Sequence, residues 1–423
     1  MTWKQQPKRV LVLIKFKQPE LLPKVANIMR YLVEAHALSV VVEPHLIDDL
    51  RAHDLMTPLL EPREGREPTT AAGVGVLDID ASARRAGGEC DGIDLVISLG
   101  GDGLLIHAST VFARAMPPVL GFNLGSLGFL TLFDYEEFTQ SIRHVLDPPM
   151  GGPPPQSPSE WTGSAQLPSR SSPPGLPLSL RMRLRCTIVR GGEARGATTV
   201  RNVLNEVVVD RGPSPYLTCL ECFCNGEHIT DVQADGIILA TPTGSTAYSM
   251  SAGGSMVHPS VPAICFTPIC PHTLSFRPIL FPDSATIFMR ISEESRSGEA
   301  WVAFDGKFRE RLGVGDTLVV ESSPYPLPLI NRVGSTVDAD WMHTLRYAFG
   351  FNQRARQKSF PPPLAPDADA LGDGDAPADA DAEPDLEVDR VADAARVAQL
   401  RADDDYTDGD GEVCRPNDRG SRC

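Results

Sequence analysis

The chain has 423 residues, of which 42% are hydrophobic, and this length allows two or three domains with cores of their own. The formal charge is −16, but residues 361–423 contain 18 Asp and Glu against 6 Arg, which leaves only −4 for the rest of the chain. An acidic chain without a basic stripe argues against nucleic-acid binding, and no apolar run is long enough to predict a membrane span.

The first third of the chain alternates strand and helix patterns. The apolar run "RVLVLIKF" predicts a buried strand, and "ELLPKVANIMRYLVEAH" predicts a helix because its apolar residues recur at helical spacing. Further strands are predicted at "ALSVVVEP", "IDLVISLGGDG" and "PPVLGFNLGSLGFLT", and a second helix at "LLIHASTVFARA". This alternation predicts an α/β domain with a parallel sheet over residues 8–146. Since the residues before Arg9 show no signal or transit peptide pattern, we expect a cytoplasmic protein.

The pattern changes after residue 146. Residues 147–178 are rich in Pro, Gly and Ser and predict a disordered insertion. Over residues 179–340, short alternating apolar runs separated by turn residues predict an antiparallel β-sandwich or barrel. The segment "HTLRYAFGF" predicts a closing helix, within residues 341–358, that returns to the α/β domain, and residues 359–423 predict a disordered acidic tail.

One cysteine-rich segment, "YLTCLECFCNGEHI", resembles a metal cluster of Cys219, Cys222, Cys224 and His228. Strand alternation favours another interpretation, because it sends Cys219 to one face and Cys222 and Cys224 to the other. No second cysteine pair follows at the spacing of a zinc site. We therefore expect structural cysteines and no metal ligands among the side chains.

The first candidate site is "SLGGDG", at the carboxyl end of a predicted parallel strand, where such sheets bind ligands. Gly100, Gly101 and Gly103 allow backbone N–H groups to approach an anion, and the N-terminus of the following helix favours negative charge. Asp102 stands among them and could serve as a general base toward a hydroxyl or as a metal ligand. An ordinary Asp-Gly turn is the alternative interpretation.

The second candidate site is "QADGIILATPTGSTAYSMSAGG", in which hydroxyl groups follow an apolar strand. Seven of them lie within eleven residues, namely Thr241, Thr243, Ser245, Thr246, Tyr248, Ser249 and Ser251. Hydroxyls at this density fit the ribose and base edges of a nucleotide. A solvated Ser/Thr loop is the alternative interpretation.

The third candidate site is the polar pair Asn205 and Glu206, which interrupts the apolar run "VLNEVVVDRG". Adjacent residues of a strand point to opposite faces, so one of the two would face the core unless the strand end lines a site. Buried polar groups require partners, and the ribose or amide of a ligand could provide them. An edge strand or a β-bulge is the alternative.

Together these segments resemble the NAD kinase family, whose members phosphorylate NAD to NADP. The resemblance rests on "LGGDG", "LGSLGFLT", "LNEVVVDRG", "DGIILATPTGSTAYS" with "AGGSMVHP", and "PICPHTLSFRPI", in the family's order. It covers about residues 8–350, and the wording is most similar to that of the cytosolic eukaryotic members. It implies a Rossmann-like parallel-sheet α/β domain followed by a β-sandwich, NAD and ATP as substrates, Mg²⁺ or another divalent cation, and a homo-oligomer, either a dimer or a tetramer.

The resemblance also implies roles for the residues of the glycine-rich turn. Asp102 matches the aspartate that takes the proton from the adenosine 2′-hydroxyl of NAD. The three glycines around it match the turn that lies against the phosphates, namely Gly100, Gly101 and Gly103.

The NAD-binding positions follow in the same way. Asn205 and Glu206 match the pair that binds the adenosine portion and its ribose, and Asp235 matches an aspartate at the nicotinamide end. The adenine and ribose wall is matched by Thr246, Ala247, Tyr248 and Ser251.

Two residues depart from the family's pattern. Leu104 follows GGDG where the family usually has threonine, and a leucine cannot donate a hydrogen bond to a phosphate. We therefore expect a slower but active enzyme, in which Leu104→Thr raises turnover. His107 stands where the family tends to have tyrosine or arginine, and it could either contact phosphate or lie on the helix surface.

Two other functions remain open on the sequence alone. A lipid kinase would share GGDG but should have an apolar acceptor cleft in place of the hydroxyl-rich segment. A non-catalytic dinucleotide sensor or scaffold would bind NAD without turnover. The chain has no Walker lysine motif, G-x-S-x-G or H-E-x-x-H that would indicate a different chemistry.

Overall fold

The computed structural model describes residues 6–15, 18–55, 74–76, 92–125, 128–147, 176–191, 198–332, 337–347 and 349–352. The insertion predicted over 147–178 lies outside these residues except at its two ends, and the tail predicted over 359–423 lies wholly outside them. Within the described part, no helix is both long enough and apolar enough to cross a lipid bilayer.

The first sheet is parallel at its centre, as the strand–helix alternation predicts. Its strands from the first third of the chain are β1 (Arg9–Ile14), β2 (Ser39–Val42), β3 (Val74–Val76), β4 (Leu95–Leu99), β5 (Val119–Asn123) and β6 (Phe133–Asp134). They run in the order β3-β2-β1-β4-β5, each parallel to its neighbour, and β6 pairs with β5. The short strand β3 is not among the strands that are predicted from the sequence.

Helices cover this sheet because each buries one apolar stripe. They are α1 (Leu22–His36), α2 (Pro44–Ala52), α3 (Asp102–Val111) and α4 (Phe138–Leu146). In α1, the residues at helical spacing that the sequence indicates, such as Val25, Ile28 and Leu32, are fully buried. They pack with the strands in one hydrophobic core.

The strands that follow, except the first and the last of them, build two antiparallel sheets that pack face to face. They are β7 (Leu178–Arg181), β8 (Leu184–Val189), β9 (Thr198–Val203), β10 (Glu206–Asp210), β11 (Thr218–Cys224), β12 (Glu227–Ala234), β13 (Gly236–Ala240), β14 (Ala263–Ile269), β15 (Ile279–Pro282), β16 (Ile287–Ile291), β17 (Glu299–Phe304), β18 (Lys307–Gly313), β19 (Thr317–Ser322) and β20 (Leu327–Ile330). The second sheet has the order β15-β14-β13-β10-β17-β18 and the third β12-β11-β16-β19-β8-β9. A second hydrophobic core joins their inner faces, which is the predicted sandwich.

Two strands after the insertion belong to the first sheet instead of the sandwich. Strand β20 pairs in parallel with β5, and β7 pairs antiparallel with β20 at the edge. The domain bounds of 179–340 remain a prediction, and the strands near both ends of that range contribute to the first sheet.

Two apolar runs of the sequence are each divided between two sheets. The segment "LSLRMRLRCTIVR" breaks between β7 and β8, and "VLNEVVVDR" breaks between β9 and β10. The first break coincides with Arg183, a fully buried side chain whose guanidinium donates to the carbonyl oxygens of Phe112 at 2.9 Å and Ser109 at 3.2 Å. These are carbonyls at the end of α3 that lack helical partners, so Arg183 ties that helix to the sandwich.

Strand β11 shows the alternation that the sequence predicts for the cysteine-rich segment. Leu220 and Cys222 are buried, while Cys219, Glu221 and Phe223 are partly exposed on the other face. The thiols of Cys219 and Cys222 therefore point in different directions.

Two further helices lie in the second half of the chain. A single turn, α5 (Tyr248–Ser251), comes after β13, and α6 (Val337–Tyr347) comes after β20. Helix α6 begins before the predicted segment 341–358, with Asp338 and Asp340 in its first turn, where acidic residues favour a helix N-terminus. The hydroxyl of Thr344 donates to the carbonyl oxygen of Gly128 at 3.4 Å, so α6 contacts the first domain.

Candidate active site

The GGDG turn lies where β4 ends and α3 begins, as the sequence predicts. Gly101 is the N-terminal cap of α3 and Asp102 is its first residue. Gly101 and Gly103 are exposed, and a Cβ atom at either position would meet nothing within 4 Å. The first turn of α3 therefore presents backbone N–H groups to open space, which is a favourable place for an anion.

The Asp102 carboxylate is held from the side by the backbone of the loop after β5. Oδ2 accepts the N–H of Phe129 at 2.9 Å, and Oδ1 accepts the N–H of Leu130 at 3.1 Å. A Cβ atom on Gly128 would overlap Oδ1 of Asp102, so only glycine allows this approach. The motif "LGSLGFLT" thus fixes the orientation of the carboxylate, a role that the sequence does not reveal.

Arg181 on β7 is a charged neighbour that sequence reasoning did not identify. Its side chain is 4% exposed, and its Nε has no hydrogen-bond partner within the part of the chain that the structure describes. Burial lowers the pKa of Arg181 to about 10, against the opposing effect of the carboxylates of Asp102 and Asp340. The guanidinium therefore stays charged at neutral pH, close to Asp102.

The hydroxyl-rich segment divides into buried and exposed groups. Thr241, Ser245 and Ser249 are fully buried and bond within the protein: Thr241 Oγ1 donates to the Leu204 carbonyl at 2.6 Å, and Ser245 Oγ accepts the Val257 N–H at 2.8 Å. These hydroxyls shape the turn, so their density alone does not indicate ligand contacts.

The positions matched to the adenine and ribose wall lie around this turn. Thr246 is nearly buried and its Oγ1 donates to the Thr243 carbonyl at 3.2 Å. Ala247 is half-buried, Tyr248 is 44% exposed and Ser251 is exposed. Tyr248 and Ser251 are the hydroxyls of this segment that the structure leaves open to a ligand.

The second and third candidate segments lie in contact with each other. The Thr241 N–H donates to the Asn205 carbonyl at 2.8 Å, and a Cβ atom on Gly244 would overlap the Asn205 backbone. Leu204 belongs to the first core, which also contains Leu104 and Leu105 of α3. Asn205 thus lies beside the hydroxyl-rich turn, and the residue before it packs in the core that holds the helix of the GGDG turn.

Glu206 is a buried carboxyl group at the start of β10. Its side chain is 7% exposed, and Oε2 has no hydrogen-bond partner among the described residues. Burial, with a smaller effect from the Asp305 carboxylate, raises the pKa of Glu206 to about 8. A buried polar atom without a partner is costly, and a ligand can supply the missing hydrogen bond.

Tyr248 lies within electrostatic range of both Asp235 and Glu206. Arg211 Nε donates to Asp235 Oδ1 at 2.8 Å, forming an ion pair. The pKa of Tyr248 is raised by partial burial and by acidic groups that include Asp235 and Glu206. The structure therefore gathers the predicted NAD-binding residues of the two segments in one neighbourhood.

His107 on α3 pairs with Glu43, which follows β2. His107 Nε2 lies 2.7 Å from Glu43 Oε1, and the Glu43 side chain is buried. The sequence left open a contact with phosphate or a place on the helix surface for His107, and neither of these includes the interaction with a carboxylate that the structure shows. Within the described residues, no three His, Cys, Asp or Glu side chains converge as a metal-binding group.

Two family models match the chain. The model of the ATP-NAD kinase N-terminal domain matches residues 10–149, and the model of the ATP-NAD kinase C-terminal domain matches residues 204–332. Together they cover more than half of the chain. The junction between β9 and β10, with Asn205 and Glu206, falls at the start of the second match.

Curated relatives and a solved structure agree with these models. NAD kinase 2, chloroplastic, of Arabidopsis thaliana is 42% identical over 359 residues, which are 85% of this chain and 32% of that protein. NAD(+) kinase of Saccharomyces cerevisiae is 40% identical over 279 residues, which are 63% of this chain and 47% of that protein. The chain thus spans about a third to a half of the length of these relatives. A crystal structure of yeast NADH kinase complexed with NADH matches with a TM-score of 0.67 and 29% identity, covering 84% of this chain and 92% of that one.

Proposed function

The chain belongs to the NAD kinase family, and we propose that it transfers the terminal phosphate of ATP to the adenosine 2′-hydroxyl of NAD, forming NADP. The observation that carries this proposal is the Asp102 carboxylate, which Phe129 and Leu130 hold beside an open glycine turn at a helix N-terminus. A base and an anion-binding turn side by side are what phosphoryl transfer to a hydroxyl requires.

Asp102 acts as the general base in this proposal. A ribose hydroxyl is a poor nucleophile, so its proton must leave as the bond to phosphorus forms, and Asp102 accepts it. The backbone N–H groups of Gly101 and Gly103 stabilise charge on the phosphates. Mg²⁺ or another divalent cation enters as part of the ATP substrate and neutralises phosphate charge there.

NAD is bound by residues of the sandwich. Asn205 and Glu206 take the adenosine portion and its ribose, with Glu206 supplying a buried carboxyl group whose Oε2 is available for a hydrogen bond. Asp235 lies toward the nicotinamide end. The adenine and ribose wall is formed by Thr246, Ala247, Tyr248 and Ser251.

A coupled assay of NADP formation tests this function. We expect the purified protein with ATP and a divalent cation to phosphorylate NAD. NADH is tested in parallel, because the crystal structure of the yeast NADH kinase, a similar protein, contains NADH. Phosphorylation of diacylglycerol but not of NAD would instead establish a lipid kinase.

Calorimetry separates the remaining alternative, a non-catalytic dinucleotide sensor. Binding of NAD with no NADP formed at any divalent cation concentration would contradict the kinase proposal and favour a sensor. Cytoplasmic location and assembly into a dimer or tetramer remain predictions, and cell fractionation and light scattering test them.

A further inference from the structure

The hairpin turn between β17 and β18 carries an aspartate in an unusual setting. Asp305 and Gly306 are its two central residues, with φ values of 49° and 68°, and Asp-Gly is a favoured pair for such a turn. An aspartate in a hairpin turn is ordinarily solvated. Here the side chain of Asp305 is only 8% exposed, so the turn alone does not explain its position.

The Asp305 carboxylate accepts three consecutive backbone N–H groups. Oδ2 accepts from Leu204 at 2.8 Å, and Oδ1 accepts from Asn205 at 2.8 Å and from Glu206 at 3.1 Å. The Asp305 N–H also donates to the Glu206 carbonyl at 2.9 Å. This is where the chain crosses between the two sheets of the sandwich, so Asp305 replaces part of the missing strand pairing.

The segment 204–206 is therefore fixed from two sides. Asp305 holds its N–H groups, while Thr241 binds the carbonyl oxygens of Leu204 and Asn205 through its hydroxyl and its N–H. Gly244 packs closely against the Asn205 backbone. Few rotations remain for this backbone, and the directions of the Asn205 and Glu206 side chains follow from it.

We propose that Asp305 is a positioning residue for NAD recognition, which holds the backbone of residues 204–206 so that Asn205 and Glu206 meet the NAD ribose. Asp305 does not itself touch the ligand. This inference rests on the function proposed above. When the hydrogen bonds from Asp305 are removed, the backbone of residues 204–206 can move, and the binding energy that depends on preorganised side chains is lost. The hydrogen bonds that hold Asp102 are unchanged, so the chemical step should be little affected.

Two variants test the inference. Asp305→Gly removes the carboxylate and tolerates the positive φ, and Asp305→Asn retains one oxygen that can accept two of the three N–H groups. We expect Asp305→Gly to raise the KM and the calorimetric Kd for NAD about tenfold to a hundredfold. We expect the KM for ATP, and kcat at saturating NAD, to change less than about threefold, and Asp305→Asn to have a smaller effect in the same direction.

Asp316 provides a matched control. Its carboxylate also accepts two backbone N–H groups, those of Gly191 at 2.9 Å and Gly313 at 3.0 Å, but none from residues 204–206. Asp316→Asn should lower the melting temperature without changing the KM for NAD. If Asp305→Gly does not fold, Asp305→Asn and Asp316→Asn are compared alone.

The inference is overturned if the Kd of the folded Asp305 variants for NAD lies within twofold of that of the unmodified protein. It is also overturned if the Asp305 variants and Asp316→Asn change the KM for NAD and the KM for ATP to the same extent. Failure of the proposed function is a separate result. An unmodified protein that binds NAD but forms no NADP contradicts the kinase activity, and the calorimetric comparison of the variants then still decides the role of Asp305.

Discussion

The two carboxyl groups of the proposed site, Asp102 and Glu206, are supported in opposite ways. Asp102 is partly exposed, and two backbone N–H groups bind its carboxylate. Glu206 is buried beside the Asp305 carboxylate, its Oε2 lacks a partner among the described residues, and its pKa is raised to about 8. Backbone N–H donors favour a charged carboxylate, whereas burial and a like charge favour a protonated one.

This difference matches the two tasks that we propose. A base must be charged before it accepts a proton, and Asp102 has the donors that stabilise that charge. Glu206, protonated at neutral pH, carries an O–H group that can donate to a ribose oxygen. In this proposal, the α/β domain supplies the reactive group, and the sandwich supplies the recognition group.

The largest expected effect comes from removing the charge on the catalytic side. Asp102→Asn keeps the size of the side chain but cannot accept the proton, so turnover should fall about 10²- to 10⁴-fold. Calorimetry should find the Kd for NAD little changed. If Asp102→Asn has a turnover near that of the unmodified protein, Asp102 is not the general base, and the proposed difference in role between the two carboxyl groups is wrong.

A smaller loss is expected from displacing Asp102 without changing it. The methyl group of Gly128→Ala would overlap Oδ1 of Asp102 and push the carboxylate aside. A displacement of about 1 Å can cost a hundredfold in rate, so we expect turnover to fall about tenfold to a hundredfold. Gly313→Ala is the control, because its added Cβ would lie 3.7 Å from its nearest neighbour, an ordinary contact. Equal turnover in the two variants would show that the loop does not orient the base.

The pH dependence of stability should show that Glu206, the proposed recognition group, is protonated in the folded protein. Its folded pKa is raised from 4.5 to about 8, so its contribution to stability is complete below pH 4.5 and is lost as pH rises toward 8. Burial raises the pKa of Asp305 to about 6, so Asp305 adds a similar loss of stability as pH rises toward 6. Between pH 6 and 8, the free energy of unfolding should therefore fall by about 1 kcal/mol per pH unit.

Glu206→Gln isolates this effect. The amide does not titrate, so the stability of the variant should be nearly independent of pH between 6 and 8, apart from groups common to both proteins, such as Asp305. Urea unfolding at several pH values gives both curves. Parallel curves in this range would mean that Glu206 is charged at neutral pH.

The sequence predicts the layers of this molecule better than its junctions. Alternating apolar patterns predict the parallel sheet, helix α1 and the sandwich strands, because each pattern reflects burial on a local face. It does not predict that β7 and β20 join the first sheet, since strand pairing depends on distant residues. In the site, GGDG and the pair Asn205–Glu206 stand out by residue type.

Their supporting residues do not stand out in the same way. Gly128 contacts Asp102 from 26 positions away along the chain, and Asp305 lies about 100 positions from the segment it holds. The Asp-Gly pair at 305–306 indicates a hairpin turn, but burial of its carboxylate depends on the chain crossing between sheets. Arg181 has the appearance of an ordinary strand residue until the carboxylates near it are known.

The smallest expected change in turnover concerns Leu104, and here the structure alters the expectation from sequence. The leucine side chain is 8% exposed and packs in the first core. A threonine at this position would place its hydroxyl in the core, where it can bond to the carbonyl of the preceding turn. We therefore expect Leu104→Thr to lower the free energy of unfolding by about 1–3 kcal/mol and to change turnover less than about threefold. Leu104→Met, which keeps the volume, is the control and should do neither. Turnover is measured for the three proteins under conditions where all of them are folded, and urea unfolding gives their stabilities. A tenfold gain in the turnover of Leu104→Thr alone would show that the hydroxyl reaches the phosphates. The expectation from the sequence would then be right.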